Sequence, residues 1–354
     1  MRCGALQAPF PECRKTGISA QGRESSGVNR YRVGIVGFGV AGRRHFQALQ
    51  TTQCFQVAGI LEPDTCVAVP CTRFSDLDSL MSAVDIVAIC VPTEFHLGLA
   101  EKVLKAEKHL FLEKPICLDL AQADRLLALS EQHHGSVQVG YNLRHHRLVK
   151  RGLEIVSSDK IGQIRALHTV IGSGLGFRTG PGHWKTERGR GGGALMEIAT
   201  HHFDLWRAFT GEQVQTVVAQ TFSSDHLEDI TAVVQARLTG GVLAATTVCQ
   251  TTSPVNQLEI YGTKGRLQIS LYSFDGLKLT LGETTDGDLK LRARRWVNTL
   301  KELPQWYRNR AFGGDYLASY RNQWIHFYEC LREEREPMPT LTDGREALRI
   351  ALIT

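Results

Sequence analysis

The chain has 354 residues, of which 42% are hydrophobic and 22% charged, and its formal net charge at pH 7 is +5. This length exceeds one ordinary domain, and the composition can bury a core in each of two. Lys and Arg are scattered among acidic residues, without the basic runs typical of nucleic-acid-binding chains, so a small-molecule partner fits better. No apolar stretch approaches the ~20 residues of a membrane span, so no membrane partner is expected.

The cysteines favour a reducing cytoplasm. There are nine, spread without a Cys-x-x-Cys pair. Cys90 and Cys249 lie in apolar runs, where a thiol behaves as a small hydrophobic group. Cys66 and Cys71 could suggest a metal site or a disulfide, but no cluster of His or Cys lies beside them, and no metal is expected.

The two ends of the chain carry weaker signals. Residues 1–30 mix Gly, Ser, Pro, Arg and Cys without the apolar core of a secretory signal, and we expect them to be disordered. A targeting peptide is the alternative. The helical pattern from Asp343 stops at Thr354 without a capping signal, which leaves open a truncation of the last domain.

Residues 31–147 alternate short apolar runs with helix-like stretches. Runs that are apolar on both faces indicate the buried strands of a parallel sheet. The predicted strands are Tyr31–Val36, Gln56–Leu61, Asp85–Val91, His109–Leu112 and Val137–Tyr141, and the predicted helices are Ala41–Leu49, Phe95–Ala106 and Leu120–His133. The alternation predicts a doubly wound α/β domain of the Rossmann type.

Residues 148–354 differ, because strand candidates there follow one another with Gly-rich turns and few helices. The pattern predicts an α+β domain with a large, mostly antiparallel sheet. The predicted strands are Ile230–Leu238 and Val242–Val248, which form a hairpin, then Gln257–Tyr261, Arg266–Ile269 and Leu277–Leu281, and the predicted helices are Ala194–Phe209 and Tyr316–Arg332.

A glycine-rich turn follows the first strand and opens a helix. It reads Gly37-Phe38-Gly39-Val40-Ala41-Gly42. The first glycine permits the tight turn, the second lets the backbone approach a pyrophosphate, and the third allows the helix to pack on the strand. The helix N-terminus faces the phosphate charge. The turn therefore predicts a dinucleotide site.

An acidic residue completes this pattern. Glu62 ends the second strand, where a carboxylate would accept hydrogen bonds from the adenosine ribose. It would repel a 2′-phosphate, which favours NAD over NADP, although Arg43 and Arg44 lie nearby; a solvated loop acid is the alternative. Thr93 and His96 follow the predicted strand Asp85–Val91 and would line the same crevice, although His96 could also be a surface residue at a helix N-terminus.

Lys114 is the first candidate for chemistry. In Glu113-Lys114-Pro115 it follows a strand, at the carboxyl edge where doubly wound folds bind ligands, and a lysine there can polarise a carbonyl. The alternative is a solvent-facing lysine at a strand end.

The second half of the chain supplies a possible partner for this lysine. Glu197, His201 and Asp204 have the i, i+4, i+7 spacing of one helix face. His201 is suited to remove the hydroxyl proton during hydride transfer, with Glu197 to orient it, whereas Asp204 is better explained as structural. A Glu–His pair on a wet surface is an equally good explanation of the spacing. A metal pair is a weaker one, because the sequence places no third ligand.

The order of the motifs G-F-G-V-A-G, E-K-P and G-G-G-A-L-M-E-I-A-T-H-H-F-D resembles the glucose-fructose oxidoreductase, inositol dehydrogenase and rhizopine-catabolism (Gfo/Idh/MocA) family over residues 31–354. The resemblance implies a two-domain fold, contacts of Lys114 with nicotinamide and substrate, and a cis Lys114–Pro115 bond. It also implies homo-oligomers, dimers or tetramers, formed through the C-terminal sheet.

The sequence departs from the family pattern at the acid–histidine pair. Glu197 replaces the usual aspartate of Asp-x-x-x-His, and Ala199 stands where glycine is common, so substrate geometry is expected to differ. The predicted catalytic residues are Lys114, His201 and Glu197. The predicted substrate contacts are Lys114, Arg144, Trp184, Glu197 and His201. The predicted cofactor contacts are Gly37, Phe38, Gly39, Val40, Ala41, Gly42, Glu62, Thr93, His96, Glu113 and Lys114.

The leading functional hypothesis is a NAD-dependent dehydrogenase or reductase acting on a secondary alcohol or ketone of a sugar, inositol or related polyol. A dinucleotide-sensing regulator of the same fold is the main alternative, because a galactose-regulon repressor is similar to this family. A sensor needs no acid–base pair beside the nicotinamide, which argues against it. A carbohydrate-binding or structural role is the third possibility.

Overall fold

A computed structural model describes residues 30–353, except residues 175, 178, 179, 181, 226, 285 and 286. The expectation of disorder in residues 1–30 falls almost wholly on residues 1–29, which lie outside the described residues, as does Thr354.

A six-stranded parallel sheet forms the first half of the fold, in the order β3-β2-β1-β4-β5-β6. This confirms the doubly wound α/β prediction. The strands are β1 Tyr31–Val36, β2 Phe55–Leu61, β3 Arg73–Phe74, β4 Ile86–Ile89, β5 His109–Leu112 and β6 Val137–Val139, and the helices are α1 Val40–Gln50, α2 Leu77–Ser82, α3 His96–Lys105 and α4 Leu120–Ser130. Strand β3 and helix α2 were not predicted, because they are too short for a periodic signal.

A seven-stranded sheet forms the second half, in the order β13-β12-β11-β7-β10-β9-β8. Its neighbouring strands are antiparallel except β7 and β10, which confirms the mostly antiparallel prediction. The strands are β7 Ile164–Gly172, β8 Val214–Ser224, β9 Leu227–Leu238, β10 Leu243–Cys249, β11 Val255–Gly262, β12 Gly265–Ser270 and β13 Leu277–Leu281. The two missed strands have weak apolar alternation, since β8 is mostly exposed and β7 buries a threonine.

Five α-helices lie in the second half of the described chain: α5 Arg147–Ser157, α6 Thr200–Thr210, α7 Leu289–Arg310, α8 Asp315–Arg332 and α9 Leu341–Leu352. The predicted continuous helix Ala194–Phe209 is wrong at its start. Residues Ala194–Ala199 form a π-helical segment, and the α-helix begins at Thr200. The i, i+4, i+7 spacing of a regular helix therefore does not hold at Glu197.

Helix α8 covers one face of the first sheet. Its Trp324 stacks on Phe111 of β5 with ring centroids 4.5 Å apart, and Phe327 packs beside it. Tyr320 and Leu331 join the same buried cluster. A helix from the last part of the chain thus completes the core of the N-terminal sheet. None of the described helices is long and apolar enough to cross a membrane.

Candidate active site

The glycine turn after β1 has the geometry that a dinucleotide pyrophosphate requires. Gly37 has φ +88°, and a Cβ on it would lie 2.8 Å from the carbonyl oxygen of Cys90. A Cβ on Gly42 would lie 2.1 Å from the carbonyl oxygen of Gly37, so only glycine lets α1 pack this closely. A Cβ on Gly39 would meet nothing within 4 Å. That open space, at the start of α1, is where a phosphate can approach the backbone.

Glu62 lies beside this turn. Its Oε2 accepts a hydrogen bond from the backbone N–H of Phe38 at 2.7 Å, and its Oε1 accepts one from Asp64 at 3.0 Å. A carboxylate oxygen can accept more than one hydrogen bond, so ribose hydroxyls can still bind it. The loop-acid alternative does not account for its bond to the glycine turn.

The two arginines near the turn make contacts within the protein. Arg43 Nε donates to the Phe38 carbonyl at 3.1 Å, and its guanidinium lies over the Phe38 ring. Arg44 donates to the hydroxyl of Tyr320 at 3.3 Å and lies against the rings of Tyr316 and Tyr320. Arg44 is therefore held by α8.

Thr93 and His96 are both buried behind the crevice. The surface alternative for His96 is wrong, because its Nδ1 lies 2.9 Å from the carbonyl oxygen of Pro115 and its Nε2 lies 2.9 Å from that of Val91. Burial lowers the pKa of this imidazole. The ring joins the end of β4 to the Lys114–Pro115 segment, so His96 supports the crevice wall.

Glu113 belongs to a buried polar chain that sequence analysis did not find. Trp324 Nε1 donates to His45 Nδ1 at 3.0 Å, which leaves His45 Nε2 to donate to Glu113 Oε1 at 2.7 Å. The backbone N–H of Lys114 donates to the other carboxylate oxygen at 3.1 Å. Burial acts to raise the pKa of Glu113, but His45 and Lys114 outweigh it and the pKa is lowered. The carboxylate of Glu113 thus positions Lys114.

Lys114 and Glu197 meet, although 82 residues separate them in the chain. The Lys114 Nζ donates to the backbone carbonyl of Glu197 at 2.6 Å and lies 3.4 Å from its Oε2. The Lys114 side chain is 10% exposed, so the solvent-facing alternative is wrong. The Lys114–Pro115 peptide is cis, which confirms that expectation.

Lys185 is a site residue that sequence analysis missed. Its ammonium pairs with Glu197 Oε1, and so the carboxylate lies between two lysines. Burial acts to raise the pKa of Glu197, but Lys114 and Lys185 outweigh it and lower the pKa. The signal available in the sequence was its position beside Trp184, just before the three glycines.

His201 lies in the same region but has no described hydrogen bond to Glu197, so the prediction that Glu197 orients it is wrong. The π-helical segment directs Glu197 to the two lysines. The His201 ring instead packs edge-on against Tyr141, with centroids 5.8 Å apart, and its buried Nδ1 has no hydrogen-bond partner. Burial first, and then the charge of Lys114, lowers the pKa of His201 well below its ordinary value. The imidazole is therefore neutral near pH 7, and neither it nor Glu197 is on a wet surface.

Arg144 and Asp204 form a buried ion pair. Arg144 donates to the two carboxylate oxygens of Asp204 at 2.8 and 2.6 Å and also contacts Asp343 on α9 at 3.2 Å. The structural explanation of Asp204 fits this geometry. Arg144 is engaged in the same network, which favours a structural role over substrate contact.

Trp184 lies beside Lys185. Its ring is 5.1 Å from the Lys185 ammonium and stacks on His183. This partly buried position is compatible with its predicted substrate contact. Over the described residues, no group of three or more His, Cys, Asp or Glu side chains could hold a metal ion.

Two family models match the chain. One, described as an oxidoreductase family with an NAD-binding Rossmann fold, matches residues 31–141, and the other, a Gfo/Idh/MocA C-terminal domain, matches residues 149–268. A myo-inositol 2-dehydrogenase of Thermotoga maritima is 30% identical, and the alignment covers 75% of each chain. An uncharacterised oxidoreductase of Bacillus subtilis, YrbE, is 26% identical over 90% of this chain and 91% of its own.

A solved structure is similar over nearly the full length. It is a levoglucosan dehydrogenase in complex with NADH and levoglucosan, with a TM-score of 0.76 and 17% identity, and the match covers 91% of this chain and 95% of that one. At this identity the similarity concerns the fold.

Proposed function

This chain belongs to the Gfo/Idh/MocA family of oxidoreductases with an NAD-binding Rossmann fold, and from that premise we propose that it transfers a hydride between NAD and a secondary alcohol or ketone of a sugar, an inositol or a related polyol. The observation that carries this proposal is the contact of Lys114 with Glu197, with His201 near enough for the charge of Lys114 to lower its pKa. A relative 30% identical is named a myo-inositol 2-dehydrogenase, which supports the polyol class.

We assign catalysis to Lys114, His201 and Glu197. Lys114 has three ammonium hydrogens, of which two face the carbonyl and the Oε2 of Glu197, so the third can bind the reacting oxygen of the substrate. The neutral His201 can accept the hydroxyl proton during oxidation and return it during reduction. NAD, when bound, accepts or supplies the hydride. The Glu197 carboxylate offsets part of the positive charge of Lys114 and Lys185.

We also propose the binding contacts. The substrate contacts are Lys114, Trp184, Glu197 and His201, with Arg144 kept only as a residue that supports the pocket. The glycine turn and Glu62 bind the pyrophosphate and ribose, and Glu62 disfavours the 2′-phosphate of NADP. Thr93, His96 and Glu113 support the cofactor crevice from behind, and Lys114 borders both ligands.

We propose that the chain acts as a homodimer or homotetramer through the outer face of its C-terminal sheet. Val218 and Phe222 on β8 and Leu243 on β10 are more than half exposed there. Apolar side chains exposed on a sheet face support association through that face. The division at residues 147 and 148 and a cytoplasmic location are further proposals, the latter supported by the free thiols of the described cysteines.

A regulator that binds the dinucleotide without turnover is the second candidate, because the fold alone supports both functions. The experiment is a spectrophotometric assay of the purified chain with NAD and NADP against inositols, aldoses, nucleotide sugars and small diols. We expect reduction of NAD with at least one polyol, and a loss of roughly 10²-fold or more in kcat in His201→Asn.

The controls separate the two candidates. NAD binding, measured by calorimetry, should be unchanged in His201→Asn, because the residue lies outside the glycine turn. Tight NAD binding without turnover on any substrate would favour the regulator. Full activity of His201→Asn would remove His201 from the mechanism.

A further inference from the structure

We infer that Lys185 is a positioning residue that holds the Glu197 carboxylate away from Lys114 and so keeps the Lys114 ammonium free for the substrate. The inference rests on the proposed function, in which Lys114 binds the reacting oxygen.

The distances around Glu197 distinguish the two lysines. Lys185 Nζ makes the short contact, to Oε1, whereas Lys114 Nζ lies 3.4 Å from Oε2. Lys114 Nζ makes its shorter hydrogen bond to the neutral backbone carbonyl, at 2.6 Å, and its longer one to the carboxylate. The carboxylate therefore makes its shorter contact with Lys185 and its longer one with Lys114, and the charges of both lysines act on it.

The glutamate makes this division possible. An aspartate, one methylene shorter, would not extend as far, whereas the longer chain lets each carboxylate oxygen face a different lysine. A buried carboxylate needs a positive partner, because leaving its charge unpaired costs several kcal/mol. If Lys185 were neutral, the carboxylate would turn to Lys114. The ammonium hydrogens of Lys114 would then be hydrogen-bonded to Glu197 and could not bind the substrate.

The triple glycine before the π-helical segment seats Lys185. A Cβ on Gly192 would lie 2.4 Å from the carbonyl carbon of Lys185 and 2.5 Å from its oxygen, so the turn Trp184–Thr186 can lie this close only over glycine. The neighbouring Gly191 makes a similar approach to Thr93, where a Cβ would lie 2.5 Å from Oγ1. The Gly191-Gly192 pair therefore fixes the Lys185 backbone against the crevice.

Lys185 is also accessible enough to respond to substrate. Its side chain is 23% exposed, compared with 14% for Glu197 and 10% for Lys114. In the described chain the ionisable groups of this cluster act on one another, and three further groups act on its two histidines. The cluster consists of Lys114, Lys185, Glu197, His183 and His201, and the further groups are Arg44, Arg190 and His202. Because both lysines lower the pKa of Glu197 against burial, removal of one should raise that pKa.

The test compares Lys185→Met, which keeps the length and removes the charge, with Lys185→Arg, which keeps the charge. We expect Lys185→Met to lower kcat by roughly 10- to 100-fold with a smaller change in KM, because Lys114 is misplaced rather than lost. The acidic limb of the kcat profile should move to higher pH by about one unit or more. Lys185→Arg should restore most of the rate and the original limb.

Two further variants test whether the effect is specific to the position of Lys185. Lys264→Met removes a lysine from a surface pair with Asp159 and should leave the rate and the pH profile unchanged. Gly192→Ala displaces the Lys185 turn without altering a charge and should move the same acidic limb. If the wild type is inactive with the whole substrate panel, the proposed function fails. If the wild type is active and Lys185→Met keeps its rate and pH profile, the role of Lys185 is overturned.

Discussion

The glycine turn and the lysine–glutamate cluster lie at the same edge of the first sheet, but they are built in different ways. The turn uses adjacent residues, and Gly39 leaves open space beside their backbone. The cluster uses side chains from distant segments, and Lys185 and Glu197 contribute charges that balance one another. The glycine turn is therefore encoded by one short motif, whereas the lysine–glutamate cluster depends on the whole fold.

The difference shows in what each region tolerates. The turn should be sensitive to a single added methyl group wherever the backbone is close, and insensitive to charge. The cluster should be sensitive to charge, because Glu197 is buried between two ammonium groups. Substitutions that change volume and charge separately therefore test the comparison.

The largest effect is expected for Lys114→Ala, which removes a charge and leaves the glycine turn untouched. kcat should fall by roughly 10³-fold, because the donor that stabilises the reacting oxygen is lost. NAD affinity, measured by titration calorimetry, should change far less. An unchanged kcat would remove Lys114 from the mechanism and break the assignment of chemistry to the cluster.

The next largest effect is on stability, and it should differ between substitutions at two glycines that lie three residues apart. Gly42→Ala places a methyl group against the Gly37 carbonyl and should lower the free energy of unfolding by about 3 kcal/mol. Gly39→Ala is the matched control. Its added methyl group meets open space, so the free energy of unfolding should stay within about 1 kcal/mol of the wild-type value. The affinity for NAD should fall. Urea unfolding and NAD titration measure both, and equal destabilisation would contradict the assigned roles.

The smallest effect is expected for Glu62→Ala. NAD affinity should fall by roughly 10-fold, the value of one lost charge-assisted hydrogen bond, and NADP affinity should fall less or rise because a repulsive charge is removed. Glu62→Gln, which keeps the acceptor oxygen for Phe38, controls for damage to the turn. A wild type that already prefers NADP would refute the argument from Glu62.

Much of the fold could be predicted from local pattern. The five main strands of the first sheet and the hairpin of β9 and β10 have apolar runs that periodicity detects. Strand β7 could not be found this way, since it is central to its sheet yet buries Thr169 against Thr246. Helix α8 was predicted, but its packing on the N-terminal sheet was not, because helix spacing shows which face is apolar and not which partner covers it.

The residues of the candidate site also differ in whether local pattern could predict them. The glycine turn, Glu62 and Lys114 could be predicted as site residues because each follows a strand at a fixed offset. The prediction that Glu197 orients His201 was wrong because it assumed a regular helix, and π-helical geometry at Ala194–Ala199 redirects the carboxylate. His45 and Lys185 were missed, since a single histidine in a helix and a single lysine in a turn carry no pattern.

The sequence alone determined the features that depend on neighbours in the chain: the βαβ alternation, the glycines that let α1 pack on β1, and the acid after β2. Backbone sterics and hydrophobic periodicity act over a few residues, so a short segment contains their full cause. Only the tertiary structure decided that Lys185 and Lys114 share Glu197, and that Trp324 and His45 hold Glu113. Electrostatic and hydrogen-bond partners are set by distance in space, and that distance exists only after the chain has folded.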